Sequence, residues 1–241
     1  MKKERLDVLL VKRNMAETRA KAQALIMSGE VKVNDRVVDK CGRLVSPDAL
    51  LSIAHKLPFV SRGGSKLEQA LEDFKLDLQD KVALDIGAST GGFTDCMLKR
   101  NAKKVFAVDV GSGQLDSSLR ADKRVVVIEN CNARYLNREV IPEKIEIITI
   151  DVSFISLKKI VDAVKKIDFA GHIVALIKPQ FEAGRKYVKK GVIKDPDIHS
   201  AVIKEIKDYA ESLGFQVGGI TQSVLKGPKG NIEFFILLST G

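Results

Sequence analysis

The spacing of apolar residues near the N-terminus predicts a small unit of two helices and a hairpin. Apolar residues recur at helical spacing in two segments, Arg5–Val11 and Glu17–Met27. Gly29 follows the second segment as a helix stop. Residues 31–38 alternate between apolar and polar around an Asn-Asp turn, which predicts a β-hairpin. Within residues 44–54, a further apolar strand is expected after Pro47-Asp48, so the first sixty residues predict an α+β unit.

The pattern changes after residue 81, where short apolar runs alternate with helical segments. Such continuous runs are typical of a mainly parallel sheet covered by helices on both faces, which predicts an α/β fold. Ligands of these sheets bind beyond the carboxyl ends of the strands. The expected strands are Val82–Ile86, Lys104–Asp109, Val125–Ile128, Ile145–Ile150, Ile173–Ile177 and Phe234–Leu238.

A short junction separates the two regions. It contains a proline, Pro58, and the consecutive glycines of Ser61–Gly64. We therefore expect a first domain at residues 1–58, a linker at 59–64 and a second domain at 65–241. Ser65 is expected to cap the first helix of the second domain, with Glu68 completing a capping box.

Charge is unevenly distributed between these regions. The net charge of +9 divides into +6 for residues 1–62 and +3 for residues 63–241. Excess positive charge favours a polyanionic partner through phosphate contacts and counterion release. A solvated basic surface without a partner is the alternative.

Composition excludes several classes of protein. No run approaches the roughly 20 apolar residues needed to cross a bilayer, and the first ten residues lack the features of a signal peptide. The three cysteines show neither disulfide nor metal-ligand spacing, and the three histidines are scattered. We therefore expect reduced thiols, a cytoplasmic location, no bound metal and no membrane partner.

A glycine-rich loop, Asp85–Thr94, directly follows the first predicted strand. Its small residues let the backbone approach a ligand, and it leads into a helix N-terminus. The carboxylate of Asp85 would repel a pyrophosphate but suits a cationic cofactor that carries an amine, such as S-adenosylmethionine. Asp109, at the end of the second strand, is placed to accept hydrogen bonds from ribose hydroxyls. An NAD enzyme remains an alternative, because it shares the ribose-binding acid; a glycine-rich turn without a cofactor is another.

Four further polar residues belong to the expected crevice. Asp151 and Lys178 follow apolar strands, Glu233 precedes the last one, and Lys66 lies just after the consecutive glycines. A lysine beside carboxylates usually stays protonated, because the opposite charge favours its charged form. A purely structural ion pair is the alternative for Lys178.

The N-terminal segments resemble the S4 RNA-binding domain. The resemblance is carried by Arg5-Leu6-Asp7, Thr18-Arg19-Ala20, Leu25-Ile26 and Gly29–Asn34. It implies that the two helices and the hairpin present a basic face to structured RNA. The expected RNA contacts, with one added from the junction, are Arg5, Arg19, Lys21, Lys32, Arg36 and Arg62.

The chain as a whole resembles the TlyA family, which joins an S4 domain to an FtsJ-like methyltransferase domain. Family members methylate ribose 2′-hydroxyls of ribosomal RNA, on cytidines in the best-known cases, and some are labelled hemolysins. The matching segments occur in the family's order. They are Val60–Leu67, Asp85–Thr94, Asp151–Leu157, Leu176–Glu182, Lys190-Gly191-Val192 and Asn231–Glu233.

The resemblance assigns functional residues. It implies that Lys178 is the base that activates the 2′-hydroxyl, that Asp151 and Glu233 orient it, and that Lys66 positions the ribose or its phosphate. The implied partners are ribosomal RNA or ribosomal subunits. The implied contacts of S-adenosylmethionine are Asp85, Gly87, Ser89, Gly91, Gly92, Phe93, Asp109 and, near the adenine, Asn132.

Two alternatives from other functional classes stay open. One is a non-catalytic RNA-binding protein. The presence of all four residue types of the implied catalytic set argues against it. The other is a hemolysin, against which the absence of a signal peptide and of an apolar spanning segment argues.

Overall fold

The computed structural model describes residues 3–27, 29–53 and 58–240. The chain divides into two compact units, Met1–Leu57 and Pro58–Gly241. Each unit has its own buried apolar cluster. The glycine-rich loop lies in the second unit.

The first unit packs two short helices beside small antiparallel sheets. Strands β3, β2 and β5 form one sheet in that order, and β1 pairs with β4. Leu6, Leu10, Ile26 and Val31 are fully buried in its core. Its elements are β1 (Glu4–Arg5), α1 (Leu6–Lys12), α2 (Arg19–Met27), β2 (Val31–Val33), β3 (Arg36–Val37), β4 (Leu44–Val45) and β5 (Leu51–Ile53).

The predicted hairpin and helix stop of this unit are confirmed. Asn34 and Asp35 both have positive φ, at +49° and +62°, as the tight hairpin turn requires. Gly29 has a φ of +72°, the left-handed conformation that ends helices. The strand expected after Pro47-Asp48 is confirmed as β5, and a further short strand, β4, precedes this turn and pairs with β1.

The second unit is built on a seven-stranded sheet with the order β11-β12-β10-β9-β6-β7-β8. Strands β6 to β10 run parallel, while β12 is antiparallel to both of its neighbours. The mainly parallel α/β sheet is therefore confirmed. The elements are α3 (Arg62–Asp73), β6 (Val82–Ile86), α4 (Gly92–Lys99), β7 (Lys104–Val108), α5 (Ser117–Arg120), β8 (Val125–Ile128), β9 (Ile145–Ile150), α6 (Leu157–Val164), β10 (Phe169–Ile177), α7 (Pro179–Glu182), α8 (Pro196–Ser212), β11 (Phe215–Gln222) and β12 (Phe234–Thr240).

One edge strand was missed from the sequence. Strand β11 alternates between buried or half-buried and exposed positions and contains Gly218 and Gly219. It therefore lacks the continuous apolar run by which the inner strands are found. Strand β10 also begins four residues earlier than expected, at Phe169, because its first residues are only partly buried.

The first helix of this unit begins at Arg62, not after Ser65. The cap is Ser61, whose Oγ accepts a hydrogen bond from Gly63 N at 3.3 Å. Three residues of the predicted linker are thus helical. Two glycines are needed for the packing around this cap. A Cβ on Gly64 would lie 2.2 Å from the Phe59 ring, and one on Gly92 would lie 2.2 Å from Ser61 Oγ.

The parallel strands bring the polar residues that follow them to one edge of the sheet. Strands β6, β7, β9 and β10 end at the same edge, and Gly87, Asp109, Asp151 and Lys178 follow them. This edge is where α/β sheets bind ligands. Separately, none of the described helices is long and apolar enough to span a bilayer.

Candidate active site

The loop between β6 and α4 is held in a strained, glycine-dependent shape. Gly87, Ser89 and Gly91 all have positive φ, at +87°, +49° and +95°. A Cβ on Gly87 would lie 2.5 Å from the carbonyl oxygen of Asp151, so the loop passes directly against the end of β9. Gly87 N and Ala88 N donate to Val108 O at 2.8 and 3.1 Å. The loop therefore forms an open turn of backbone above the sheet edge.

Asp109 braces this loop and faces a cavity. Its Oδ2 accepts from Ser89 N at 2.8 Å, and its Oδ1 accepts from Gly111 N at 2.7 Å. It lines a cavity of about 530 Å³, together with Gly87, Ser89 and Asn132. We call this the larger cavity. Asn132 Oδ1 accepts from Arg134 N at 3.2 Å, which fixes the amide at the cavity wall.

The larger cavity fits S-adenosylmethionine. Its volume lies within the range of roughly 300–1,000 Å³ that is usual for ligand pockets. Asp109 offers acceptors for ribose hydroxyls, and the turn at Gly87 and Ser89 leaves room for the methionine chain of the cofactor. The aliphatic lining that suits a flat base consists of Ile86, Val108, Val110, Val152, Ile155 and Ile160.

A second cavity, of about 260 Å³, adjoins the first and shares Gly87, Ser89 and Asp151 with it. We call this the smaller cavity. Two predicted cofactor residues, Gly92 and Phe93, line the smaller cavity. Its basic lining residues are Arg62, Lys66 and Lys226.

Asp85 and Gly91, also predicted to contact the cofactor, line neither cavity. Asp85 is fully buried and accepts hydrogen bonds from Thr94 Oγ1 at 2.7 Å and Thr149 Oγ1 at 2.9 Å. Burial raises the pKa of Asp85 to about 6. Its position indicates support of the loop from beneath. A Cβ on Gly91 would lie 2.3 Å from Leu119, so this glycine serves packing.

The four residues of the implied catalytic set form two ion pairs. Lys66 Nζ lies 2.6 Å from Glu233 Oε2, and the Glu233 side chain is fully buried. Gln180 Nε2 donates to the other oxygen, Glu233 Oε1, at 3.2 Å. The loop at Gly227 covers this carboxylate, since a Cβ there would lie 2.0 Å from Glu233 Oε1. The Lys66–Glu233 pair therefore links α3 to the residue before β12, and the loop at Gly227 covers it.

The second pair reaches the cavities through its carboxylate, whereas Lys178 is buried and lines neither of them. Lys178 Nζ lies 2.5 Å from Asp151 Oδ1, an ion pair without hydrogen-bond alignment, and donates to Ser153 Oγ at 3.0 Å. The Asp151 side chain is 27% exposed and lines both cavities. Direct orientation of Lys178 by Glu233 stays a prediction. Lys178 and Glu233 are connected through Gln180, which follows Lys178 by two residues and donates to Glu233.

Phe154 is a candidate site residue that the sequence did not single out. It is 91% exposed, has a φ of +63° and lines the larger cavity. Its ring centroid lies 4.9 Å from that of Phe181. An exposed aromatic ring is unusual in a loop that follows a buried strand. Its place three residues after Asp151 was the available signal.

In the first unit, the expected RNA contacts differ in how firmly they are held. Arg5 donates to both oxygens of the buried Asp7, and Arg19 Nε donates to its Oδ2. The hydrogen bond from Arg5 holds the pKa of Asp7 well below its usual range. Lys21 pairs with Glu17. The side chains of Arg5 and Arg19 are still 44% and 55% exposed, so they remain accessible to a ligand.

The remaining expected contacts lie on other elements. Lys32 and Arg36 belong to the hairpin strands, where Arg36 is exposed and Lys32 half-buried. Arg62 belongs to the second unit, where its Nη2 donates to Lys226 O at 3.3 Å. Arg62 thus lies at the rim of the smaller cavity rather than in the first unit.

Comparison with known families and relatives agrees with this architecture. The FtsJ-like methyltransferase model matches residues 59–240, and the S4 domain model matches residues 4–51. A candidate rRNA methyltransferase of Bacillus subtilis, YqxC, is 47% identical over 98% of this chain and 86% of the relative. The Mycobacterium tuberculosis 16S/23S rRNA (cytidine-2′-O)-methyltransferase TlyA is 40% identical over 99% of this chain and 91% of the relative.

A solved structure is similar over the whole length. It is described as a candidate hemolysin from Streptococcus thermophilus and is 44% identical to this chain. The TM-score is 0.78, with 100% of this chain and 89% of that chain covered.

Proposed function

Because the chain belongs to the TlyA family of S-adenosylmethionine-dependent methyltransferases, we propose that it methylates cytidine ribose 2′-hydroxyls of ribosomal RNA. The M. tuberculosis relative is named for this reaction. The observation that carries the proposal is Asp151, which lines both adjoining cavities and forms an ion pair with Lys178. One cavity fits the cofactor, and the other is basic and accessible to a phosphate-bearing acceptor.

Methyl transfer to a ribose hydroxyl requires alignment of the acceptor oxygen and removal of the hydroxyl proton. When bound, S-adenosylmethionine supplies a methyl group on a sulfonium, whose departure leaves a neutral thioether. A ribose hydroxyl is a weak nucleophile until its proton is drawn away. The protein must therefore hold the acceptor oxygen in line, exclude water and receive that proton.

Lys178 is the proposed acceptor of the 2′-hydroxyl proton. Its Nζ must be neutral when it receives the proton, because an ammonium has no acceptor lone pair. Asp151 and Ser153 contact the same nitrogen and fix its direction. Replacement of the lysine by arginine would keep the positive charge but remove the base, since a guanidinium stays protonated.

Lys66 and Glu233 are proposed to position the acceptor. Lys66 lines the smaller cavity and is fixed by the buried carboxylate of Glu233. Its ammonium, with Arg62 and Lys226 nearby in the lining, suits the phosphate beside the target ribose.

Phe154 is proposed to hold the target base. Sequence-specific RNA recognition commonly splays a base out and stacks it on an aromatic side chain. The exposed ring of Phe154 lies beside Asp151 in the larger cavity lining, and Phe181 lies beneath it. A stacked cytosine there would bring its ribose towards the Lys178–Asp151 pair.

The first unit is proposed to recognise structured RNA as an independent S4 domain. Exposed basic side chains on α2 and on the hairpin, such as Arg19 and Arg36, suit phosphate contacts. We propose that the boundary between the two domains lies near residue 58, that ribosomal RNA or ribosomal subunits are the partners, and that the protein acts in the cytoplasm.

The proposal is tested by transfer of a labelled methyl group to purified 16S and 23S ribosomal RNA and to ribosomal subunits. Mapping of the product should locate the label on a cytidine 2′-oxygen. Methylation of a base, or absence of transfer by a protein that binds both S-adenosylhomocysteine and RNA, would contradict it. Competition by NAD for the S-adenosylhomocysteine site would instead favour a dinucleotide enzyme.

A further inference from the structure

A third cavity lies on the second unit and shares no lining residue with the two described above. Its volume is about 820 Å³. One carboxylate faces it, that of Asp195, which is engaged in capping α8 through Asp197 N at 3.0 Å. We call it the lysine cavity, because its lining includes Lys186, Lys189, Lys190, Lys194 and Lys229.

The lysine cavity has a defined frame. Lys189 and Val192 pair across a two-residue turn, in which Lys190 and Gly191 have φ values of +53° and +82°. Lys229 Nζ lies over this turn, 2.9 Å from where a Cβ on Gly191 would stand. Ammonium groups are thus gathered from two separate segments of the chain.

Asn231 ties this frame to the active site. Its Nδ2 donates to Gly191 O at 2.9 Å, and its Oδ1 accepts from Ile193 N at 3.1 Å. The same segment continues to Glu233 two residues later, and Gly227 N donates to Asn231 O at 2.9 Å. One loop therefore connects the lysine cavity to the cover of the Lys66–Glu233 pair.

Basic side chains follow this loop from one cavity to the other. Lys226 lines the smaller cavity, and Lys229 lines the lysine cavity. Arg62 donates to the carbonyl of Lys226 at the near end. A flexible polyanion with regularly spaced charges can contact such a track along its length, whereas a single small anion would occupy one end.

Clustered lysines favour an anionic ligand, because five ammonium groups facing one cavity repel one another until a counter-charge is bound. Tyr187 also lines the cavity, is 43% exposed and lies with its ring 4.8 Å from Lys186 Nζ. An RNA strand offers both the negative charge of its phosphodiesters and planar bases that can stack on such a ring.

We propose that the lysine cavity binds the phosphodiester backbone of the RNA substrate on the strand that leads to the target ribose. The inference rests on the proposed function for the identity of the RNA. It adds a second RNA contact surface, on the catalytic unit, to the one expected in the first unit.

The test is the salt dependence of RNA binding by the full-length chain. The variant Lys189→Gln/Lys190→Gln/Lys194→Gln removes three exposed charges from the cavity. Each lost phosphate contact should lower the slope of log affinity against log salt by about 0.7 to 0.9. We therefore expect a slope smaller by about two to three, and binding to protein-free ribosomal RNA weaker by at least about tenfold at low salt.

A matched control removes three exposed lysines from the opposite edge of the sheet. Lys103, Lys123 and Lys144 lie just before β7, β8 and β9, at the strand ends remote from the site. The triple glutamine variant at these positions changes net charge equally, and its slope should stay close to that of the wild type. S-adenosylhomocysteine affinity should be unchanged in both variants, which verifies that they are folded.

Equal slopes for the two triple variants would overturn the inference, as would an unchanged slope in the cavity variant. Reduced binding to anionic phospholipid vesicles with unchanged RNA binding would also overturn it and indicate a lipid surface. Binding is measured without methyl transfer. Failure of the proposed function would appear instead as absent methylation by the wild-type protein.

Discussion

Two lysine–carboxylate ion pairs lie in one site, and they differ in how far water reaches them. Glu233 is fully buried against Lys66, while Asp151 is 27% exposed against Lys178. The two lysines are nearly equally buried, at 11% and 10% exposure. The difference therefore lies in the carboxylates. The covered carboxylate is suited to fix Lys66 in place, and the open carboxylate is suited to face the reactants.

Replacement of the open carboxylate should affect catalysis far more than stability. We expect Asp151→Asn to slow methyl transfer by about 10²- to 10³-fold, because Lys178 loses the group that directs its Nζ. The free energy of unfolding should fall by only about 1–2 kcal/mol, because Lys178 is buried but the carboxylate that it loses is 27% exposed. Single-turnover transfer and urea unfolding measure the two effects. A loss of stability that matches the loss of rate would contradict the assignment.

The covered pair should show the reverse balance. Glu233→Gln leaves the Lys66 ammonium buried without its counter-charge, and we expect the free energy of unfolding to fall by about 3–5 kcal/mol. The double variant Lys66→Met/Glu233→Gln should recover part of that loss. The exposed Glu139→Gln serves as the control. A Glu233→Gln variant as stable as Asp151→Asn would remove the distinction between the pairs.

Asp85 extends the comparison to a buried carboxylate without a cation. Its partners are two hydroxyls, and burial raises its pKa to about 6, above the ordinary 3.8. Its contribution to stability is therefore fully present below about pH 4 and is lost as pH rises through about 6, an effect of about 3 kcal/mol. Asp85→Asn should remove this dependence. Urea unfolding between pH 4 and 7.5 measures it, and parallel profiles for variant and wild type would contradict it.

Replacement of Phe154 should have the smallest effect, and it should lower methyl transfer without changing stability. Stacking on an aromatic ring is worth about 1–3 kcal/mol per base, so Phe154→Ala should lower transfer at subsaturating RNA by about tenfold or more. Stability should be unchanged because the ring is 91% exposed. Phe154→Tyr should retain most of the rate. Equal rates for the alanine variant and the wild type would place the base elsewhere.

The sequence predicts the inner sheet well because its strands are continuous apolar runs. Val82–Ile86 and Ile145–Ile150 begin and end where expected. Strand β11 was missed because its alternating, glycine-containing pattern belongs to an edge. Ser65 was chosen as a helix cap because it heads a capping box, but packing between Gly64 and Phe59 places the start at Ser61.

For the site, the sequence indicated the residues but not their partners. The resemblance assigned Lys66, Asp151, Lys178 and Glu233, while their pairing depends on how α3 and the loop before β12 pack. The hydrogen bonds of the buried Asp85 likewise depend on packing, because one hydroxyl comes from α4, nine residues away, and the other from β9, 64 residues away. Residue types can be read along the chain, whereas partners follow from tertiary packing.

The most direct test of the account is single-turnover methyl transfer to ribosomal RNA by wild type and Lys178→Arg, with cofactor and RNA both saturating. The arginine keeps the charge beside Asp151 but cannot accept the 2′-hydroxyl proton. The account predicts a rate lower by at least about 10²-fold, with cofactor and RNA affinities retained. Transfer to the ribose 2′-oxygen at the wild-type rate would contradict it.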